Sequence, residues 1–427
     1  MKKVQSKTLD RKKFFSDPVL VCTVAFLMIA MLLFVLYPLI YLLIDSVQDE
    51  TTGAFTTAIF KRVLHMSGFQ KAFWNTLRAG IITGVLSTAV GLLFAYVDVY
   101  VRIRSRIVEK LFNLVSVLPV VSPPFVLSLS MILLFGKQGM ITKSLLHIKD
   151  ANIYGLWGLV IVQTMTFFPV CYLMLKGLLK NIDPSLEEAA RDMGASRMKV
   201  FTTVTLPLLL PGLGNAFLVT FIESAADFAN AMLIGGNYDT LATTIYLQIT
   251  GAYDKQGAAA MSVVLLSVTI IMFIIQKYYL ESKTAATLTG KATRARMPIE
   301  DKSVTIPLTI ICSLISVFVM VMYIMVFFGG FFKLWGRDYS FSMRHFNNFI
   351  LQNGLKNFKD SAVLSAIAAP ATAIMSMLIA YLVVKKKFKG KDLLELLSML
   401  AMAVPGTVLG IGYIRGFSNG MFRSGFL

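Results

Sequence analysis

Long apolar runs dominate this sequence and constrain its fold more than any other feature. An α-helix needs about 20 apolar residues to cross the hydrocarbon core of a bilayer. Runs of that length predict membrane spans at residues 19–44, 76–99, 108–135, 153–175, 213–234, 258–280, 304–328, 361–384 and 393–417. They lack the alternation of apolar and polar residues that membrane strands require. The expected fold is therefore an all-α, polytopic transmembrane helical bundle of about nine spans.

The composition agrees with a membrane location. Hydrophobic residues make up 56% of the chain and charged residues 15%, against roughly 25% charged in soluble proteins. The net charge of +18 comes from Lys and Arg in short stretches beside the apolar runs, which is typical of cytoplasmic loops. A nucleic-acid binder would collect them on one polar face. We therefore expect membrane lipid, and not nucleic acid, as a partner.

The distribution of basic residues also predicts the orientation. With the N-terminus in the cytoplasm, the cytoplasmic segments hold about twice as many Lys and Arg residues as the outside loops. The opposite orientation would break this bias in most loops.

The chain repeats itself. Ala95-Tyr96 corresponds to Ala380-Tyr381, and a basic loop follows each pair. The prolines Pro123 and Pro124 then correspond to Pro405. Two copies with the same orientation predict a pseudo-two-fold axis along the membrane normal and a pathway between the copies. We expect these three prolines to break their helices near that pathway.

The repeat suggests a domain organisation. The second copy stops early, so we expect it to be incomplete or truncated. The predicted segments are a tail, span and outside loop at 1–72, a first unit at 73–280, a basic linker at 281–303, a span and outside loop at 304–359, and a partial second unit at 360–427.

A polar stretch at residues 181–212 lies between the fourth and fifth predicted spans, on the basic side. It is too polar to cross the bilayer, yet it carries helix signals. Asp183 is a good N-cap, and Pro184 suits the first helical position. Gly194 can take the left-handed conformation that ends a helix, and Ser196 can cap a second short helix. We expect Leu206-Pro207 to close that second helix.

The first helix of this stretch is amphipathic. Leu186, Ala190 and Met193 share one face. The acids Glu188 and Asp192 share an edge and repel each other. This pattern favours a helix that offers its acids to a basic partner over one lying on lipid headgroups, because such helices favour basic polar faces.

The spacing carries a family resemblance. Glu188-Ala189-Ala190, then Gly194, Val204 and Leu206-Pro207, resembles the EAA loop of ATP-binding-cassette importer permeases. In that family the loop is the coupling helix that docks on a cytoplasmic ATPase. The resemblance implies that Glu188, beside Glu187, is the contacting acid, that Ala189 and Ala190 are close-packing positions and that Gly194 is the turn.

The whole chain resembles tandem-fused permeases of this class, most like the ferric-iron transport permeases, with 2-aminoethylphosphonate and polyamine permeases as alternatives. The resemblance implies a multi-pass protein of the bacterial cytoplasmic membrane, without enzymatic activity or cofactor of its own. Its implied partners are cytoplasmic ATPase subunits and an extracytoplasmic substrate-binding protein.

Intramembrane polar groups are candidates for the pathway. Glu223, Asp227 and Asn230 lie in the fifth predicted span at helical spacing. They either face a central cavity or brace the outer end of their helix, and the sequence leaves both interpretations open.

Two other classes of protein explain the sequence less well. An ion-coupled secondary transporter also uses repeats and intramembrane acids, but it does not explain the capped polar helix. A membrane enzyme would need a catalytic constellation that the sequence does not present. There is also no G-x-x-x-x-G-K-[ST] nucleotide-binding motif in the chain.

Overall fold

The computed structural model describes residues 17–49, 52–148, 150–280 and 298–418. The N-terminal tail 1–16 and most of the linker 281–303 lie outside these ranges. In chain order the described helices are α1 (Pro18–Val47), α2 (Ala58–His65), α3 (Ser67–Tyr100), α4 (Arg106–Val115), α5 (Leu118–Val121), α6 (Phe125–Phe135), α7 (Leu156–Asn181), α8 (Pro184–Asp192), α9 (Arg197–Ala226), α10 (Ala229–Ile234), α11 (Leu241–Thr250), α12 (Lys255–Leu280), α13 (Lys302–Gly329), α14 (Arg344–Leu351), α15 (Gly354–Lys385), α16 (Lys391–Ala403) and α17 (Gly406–Ser418).

The all-α polytopic architecture is confirmed. Within the described residues, eight helical stretches are long and apolar enough to cross a membrane, or nine if the bent pair α16–α17 is one span. The only strands in the described ranges form a small antiparallel hairpin, β1 (Phe332–Leu334) and β2 (Asp338–Phe341), after α13. Its turn contains Gly336 at φ +73°, a conformation that glycine adopts without strain.

Three spans predicted as continuous are broken. Residues 108–135 form the separate helices α4, α5 and α6, because prolines interrupt the backbone ladder between them. Residues 393–417 bend by 110° between α16 and α17, at Pro405. The predicted span 213–234 begins earlier, at the start of α9, and ends at Ala226.

The reason for that earlier start lies in a π-turn at Phe201–Thr205. Pro207 has no N–H for the helical ladder, and the wider turn that precedes it lets the helix continue instead of ending. The prediction that Leu206-Pro207 closes a short helix was therefore wrong. Arg197 to Ala226 is one helical stretch of 30 residues.

Each sequence copy shows the same order of elements. In the first, the long α3 is followed by a basic turn, the amphipathic α4, a proline break and α6. In the second, the long α15 is followed by a basic turn, α16, the Pro405 break and α17. The recurrence of one element order matches the internal similarity of the sequence.

The described residues divide into two compact units. The first unit comprises His65–Leu247 and Ser267–Met343, and the second comprises the described parts of Met1–Leu64, Gln248–Leu266 and Arg344–Leu427. The compact units do not follow chain order. The span that opens the second copy, α13, packs within the first unit, and the span that precedes the first copy, α1, packs within the second.

The first unit is built on α3, which packs along α7 and α9. Small residues permit this close approach. A Cβ atom at Gly91 would lie 2.5 Å from the Cβ atom of Cys171 on α7, and one at Gly84 would lie 2.8 Å from the ring of Phe217 on α9. Close packing through small residues is the usual way in which membrane helices associate.

The second unit holds α1 against α17. Arg415 forms a two-point ion pair with Asp45, with Nε 2.7 Å from Oδ2 and Nη2 2.5 Å from Oδ1, and both side chains are buried. The Tyr37 hydroxyl donates to the Gly416 carbonyl at 2.8 Å. Such an ion pair satisfies two charges that would be costly alone in an apolar environment.

Candidate coupling helix and polar network

The polar stretch between α7 and α9 folds into the short helix α8, and local sequence explains both of its ends. The Asp183 carboxylate accepts the Ser185 N–H at 3.0 Å, and Pro184 occupies the first turn. At the other end Gly194 has φ +85°. Its N–H donates to Arg191 O at 2.8 Å, and the Ala195 N–H donates to Ala190 O at 3.1 Å. This pair of bonds is a Schellman motif, so the predicted caps are confirmed.

One acid of α8 is buried and bonded to two membrane helices. Glu187 is 9% exposed. Its Oε1 accepts the Tyr100 hydroxyl, at the end of α3, at 2.5 Å and the Thr205 hydroxyl, in the π-turn of α9, at 2.7 Å. Hydrogen bonds to a carboxylate are among the stronger ones in proteins. Glu187 therefore ties α8 to both α3 and α9.

Most of the other side chains of α8 face outward. Glu188 and Ala189 are exposed, whereas Ala190 is buried. Leu186 is 50% exposed and Met193 83% exposed, so of the predicted apolar face only Ala190 packs inside. The outer surface of α8 combines acids with uncovered apolar side chains, and an open cavity of about 740 Å³ adjoins it, with Glu188 in its lining.

The fifth predicted span carries a second polar feature. The helix α9 ends at Ala226, and Asp227 has an extended backbone. The Asp227 carboxylate accepts the Asn230 N–H at 3.1 Å, the Asn230 side-chain amide at 2.9 Å and the Gln163 amide of α7 at 2.9 Å. The Asp227 carboxylate therefore links the first turn of α10 to α7.

The network around Asp227 extends further. The Gln163 carbonyl accepts the hydroxyls of Thr83 on α3 at 3.0 Å and Ser224 on α9 at 2.7 Å. The Asn230 carbonyl accepts the Ser128 hydroxyl of α6 at 2.7 Å. All of these groups are buried. The network joins the five helices α3, α6, α7, α9 and α10 through hydrogen bonds, as buried polar groups in an apolar surrounding require.

The remaining pathway candidates are dispersed. Glu223 is exposed on α9, whereas Asp227 is buried just beyond the end of that helix. Pro123 and Pro124 are exposed at the start of α6. Pro405 belongs to the second unit, where it is buried at the start of α17.

Sequence reasoning missed several residues that the structure brings forward. Tyr100 and Thr205 carry no motif, and nothing local marks them as partners of Glu187. Gln163 does carry a signal, since it is a polar residue inside an apolar run, and Asp45 directly follows the first predicted span.

An all-α set of membrane-length helices, with a capped polar helix bonded to two of them, is the architecture of a multi-pass membrane protein. Residues 87–284 match the family model described as "Binding-protein-dependent transport system inner membrane component". The matched residues make up just under half of the chain, and this part of the chain is similar to that family of inner-membrane transport components.

Named relatives agree with that family. The chain is 34% identical over 395 residues to the ferric transport system permease protein FbpB of Actinobacillus pleuropneumoniae, with 90% of this chain and 57% of the relative covered. It is 32% identical to the putative ferric transport system permease protein FbpB 1 of Haemophilus influenzae, covering 94% and 64%. The chain thus spans roughly three fifths of the length of these relatives, and both are described as transport permeases.

A solved structure supports the fold alone. The crystal structure of a bacterial alginate ABC transporter, in complex with its alginate pentasaccharide-bound periplasmic protein, matches with a TM-score of 0.52 at 16% identity. The match covers 64% of this chain and 97% of the other.

Proposed function

We propose that the chain is the membrane-spanning part of an ATP-driven importer and that α8 is its docking element for a cytoplasmic ATPase. One observation carries the proposal. The helix α8 is bonded to α3 and α9 through Glu187, while its neighbour Glu188 and the apolar side chains of Leu186 and Met193 face outward. A helix held on one side and uncovered on the other is suited to receive a partner.

The same geometry supplies a mechanical route. A partner that displaces α8 acts on α3 and α9 together, because the carboxylate of Glu187 bonds to both. ATP binding can bias the permease only if the docked partner interacts differently with its two states. Because α8 is bonded to two spans, a movement of these spans would also move the docking helix, and this is the coupling that the proposal requires.

Ferric iron is the proposed substrate, on the names of the two ferric transport relatives. Asp227 and Asn230 bond to each other and to other helices, so the exposed Glu223 is the better candidate for contact with a passing cation. The proposed partners are cytoplasmic ATPase subunits and an extracytoplasmic substrate-binding protein. The proposed location is the bacterial inner membrane with the N-terminus in the cytoplasm.

Orientation is the first test. Single cysteines are placed at Met193, on the loop after α8, and at Phe341, on the hairpin, in a chain whose three native cysteines are replaced. Both native side chains are at least three-quarters exposed, so accessibility is matched. A membrane-impermeant maleimide applied to intact cells should label Phe341→Cys and spare Met193→Cys until the membrane is opened. Labelling of Met193→Cys in sealed cells would place α8 on the wrong side for an ATPase.

Docking is the second test. A photoreactive amino acid at Glu188 should crosslink to a nucleotide-binding subunit, whereas the same group at Phe341 should not. Uptake of radioactive ferric iron should fall to background in Glu188→Ala cells while the chain still inserts normally. Uptake at the wild-type level in this variant, or uptake without any ATPase partner, would favour an ion-coupled transporter instead.

A further inference from the structure

A separate cavity of about 540 Å³ lies in the first unit between α3, the start of α9 and the start of α13. Its walls are mostly apolar and include Leu92, Leu93, Phe201 and Leu308. Arg197 is the one charged residue of its lining. The proposed transport function assigns no role to this apolar cavity and its single guanidinium.

The guanidinium of Arg197 has unused hydrogen-bonding capacity. Within the described ranges, its Nη1 atom is buried and has no hydrogen-bond partner. The nearest recorded carboxylate oxygen, Asp301 Oδ2, is 3.7 Å away, beyond hydrogen-bond distance. The other oxygen, Asp301 Oδ1, accepts both the N–H and the hydroxyl of Ser303 and caps α13. Asp301 therefore pairs with Arg197 only through Oδ2 at this longer distance, and the buried Nη1 atom can still donate a hydrogen bond to a further anion.

Charged residues of both signs lie near this end of the cavity. Lys302 and Lys199 lie next to the lining residues in sequence. The opposing acid Glu300 is paired with Arg102 at 2.7 Å, so its charge is largely offset. Asp301 is the acid that pairs with Arg197, and the acids of α8 lie across the adjoining cavity, which Arg197 also lines.

The length of the cavity indicates which kind of anion it can hold. Along α3 the lining extends from Ala89 to Tyr96, which is about 10 Å at 1.5 Å per residue. A small inorganic anion would leave this apolar length empty. A phospholipid would place its phosphate on the cation and its acyl chain along the slot, as basic pockets between membrane helices do with anionic headgroups.

We propose that this cavity binds one anionic phospholipid from the leaflet on the α8 side of the membrane. The phosphate contacts the Arg197 guanidinium, and the acyl chain lies against Leu92, Leu93 and Leu308. The occupant also touches Phe201, the first residue of the π-turn that carries Thr205. Lipid binding therefore stabilises the segment that holds α8 through Glu187.

The test uses the purified full chain in a neutral detergent, with bound lipid counted by native mass spectrometry. Dioleoylphosphatidylglycerol, dioleoylphosphatidylcholine and inorganic phosphate are the three probes. Phosphatidylglycerol should bind at least about tenfold more tightly than phosphatidylcholine, because the anionic headgroup pairs with the guanidinium without a competing ammonium. Arg197→Gln should remove most of that preference, and Ala89→Trp should block binding by filling the slot.

Two further variants serve as controls. Lys386→Gln removes a basic residue from the second unit and should leave phosphatidylglycerol binding unchanged. If Arg197→Gln loses helical content, Arg197→Lys carries the test, and it should retain the preference for the anionic lipid. Equal binding of the two lipids by the wild-type chain would overturn the proposal. So would displacement of the lipid by millimolar phosphate together with full binding by Ala89→Trp, because that result describes a free-anion site.

Discussion

Replacing Glu187 by alanine should loosen α8 without unfolding the membrane helices around it. The change removes the acceptor of two hydrogen bonds and leaves the buried hydroxyls of Tyr100 and Thr205 without it. A hydrogen bond to a charged group contributes about 1.5–3 kcal/mol. Two such bonds are not fully additive, so we expect the local opening free energy of α8 to fall by roughly 2–4 kcal/mol.

Hydrogen–deuterium exchange measures this quantity directly in the purified chain. A tenfold change in an equilibrium corresponds to about 1.4 kcal/mol. Amides of α8 should therefore exchange about 30- to 700-fold faster in Glu187→Ala. The amides of α7, which the substitution does not touch, should keep their rates. The assay needs no partner protein and no knowledge of the substrate.

The neighbouring acid supplies a matched control. Glu188→Ala removes the same side chain one position along, but from an exposed site, and should leave the exchange of α8 unchanged. Tyr100→Phe should reproduce part of the Glu187→Ala effect because it deletes one of the two donors. If α8 exchanges at the wild-type rate in Glu187→Ala, the bonds from Glu187 do not hold the helix, and the proposed mechanical route is refuted.

Two further predictions concern packing. Gly91→Ala should lower the thermal unfolding temperature in detergent because its Cβ would lie 2.5 Å from the Cβ of Cys171, whereas Gly177→Ala, with no atom within 4 Å, should not; equal effects would contradict the close approach of α3 and α7. Removing either partner of the buried Arg415–Asp45 pair should destabilise the chain by about 3–5 kcal/mol, and replacing both with apolar residues should cost less, as a double-mutant cycle of thermal unfolding can measure.

Local chemistry made the ends of α8 predictable. Asp183, Pro184 and Gly194 act through bonds to residues within a few positions of themselves, so the sequence contains all the information needed. The burial of Glu187 could not be predicted in the same way, because its partner Tyr100 is 87 residues away. A sequence pattern places Glu187 and Glu188 side by side, and only the packing of α3 and α9 makes one a buried anchor and the other an exposed acid.

The positions of the helix breaks could also be predicted only in part. Prolines marked the interruptions near residues 119–124 and 405, although their effect on the predicted spans was underestimated. The end of α9 at Ala226 carries no proline or glycine. It follows from Asp227, whose carboxylate bonds to Asn230 and to Gln163 of another helix, so a tertiary contact decides where this helix stops.

The approximate number and the order of the membrane helices were determined by the sequence alone. The hydrocarbon core favours long apolar helices whose backbone groups bond internally. Each apolar run meets this requirement by its own length and composition. Which helices pack together was decided by the tertiary structure. In lipid one apolar run resembles another, so pairing depends on shape and on a few distant polar contacts. The packing of α1 on α17 is an example, because it depends on an ion pair between residues 370 positions apart.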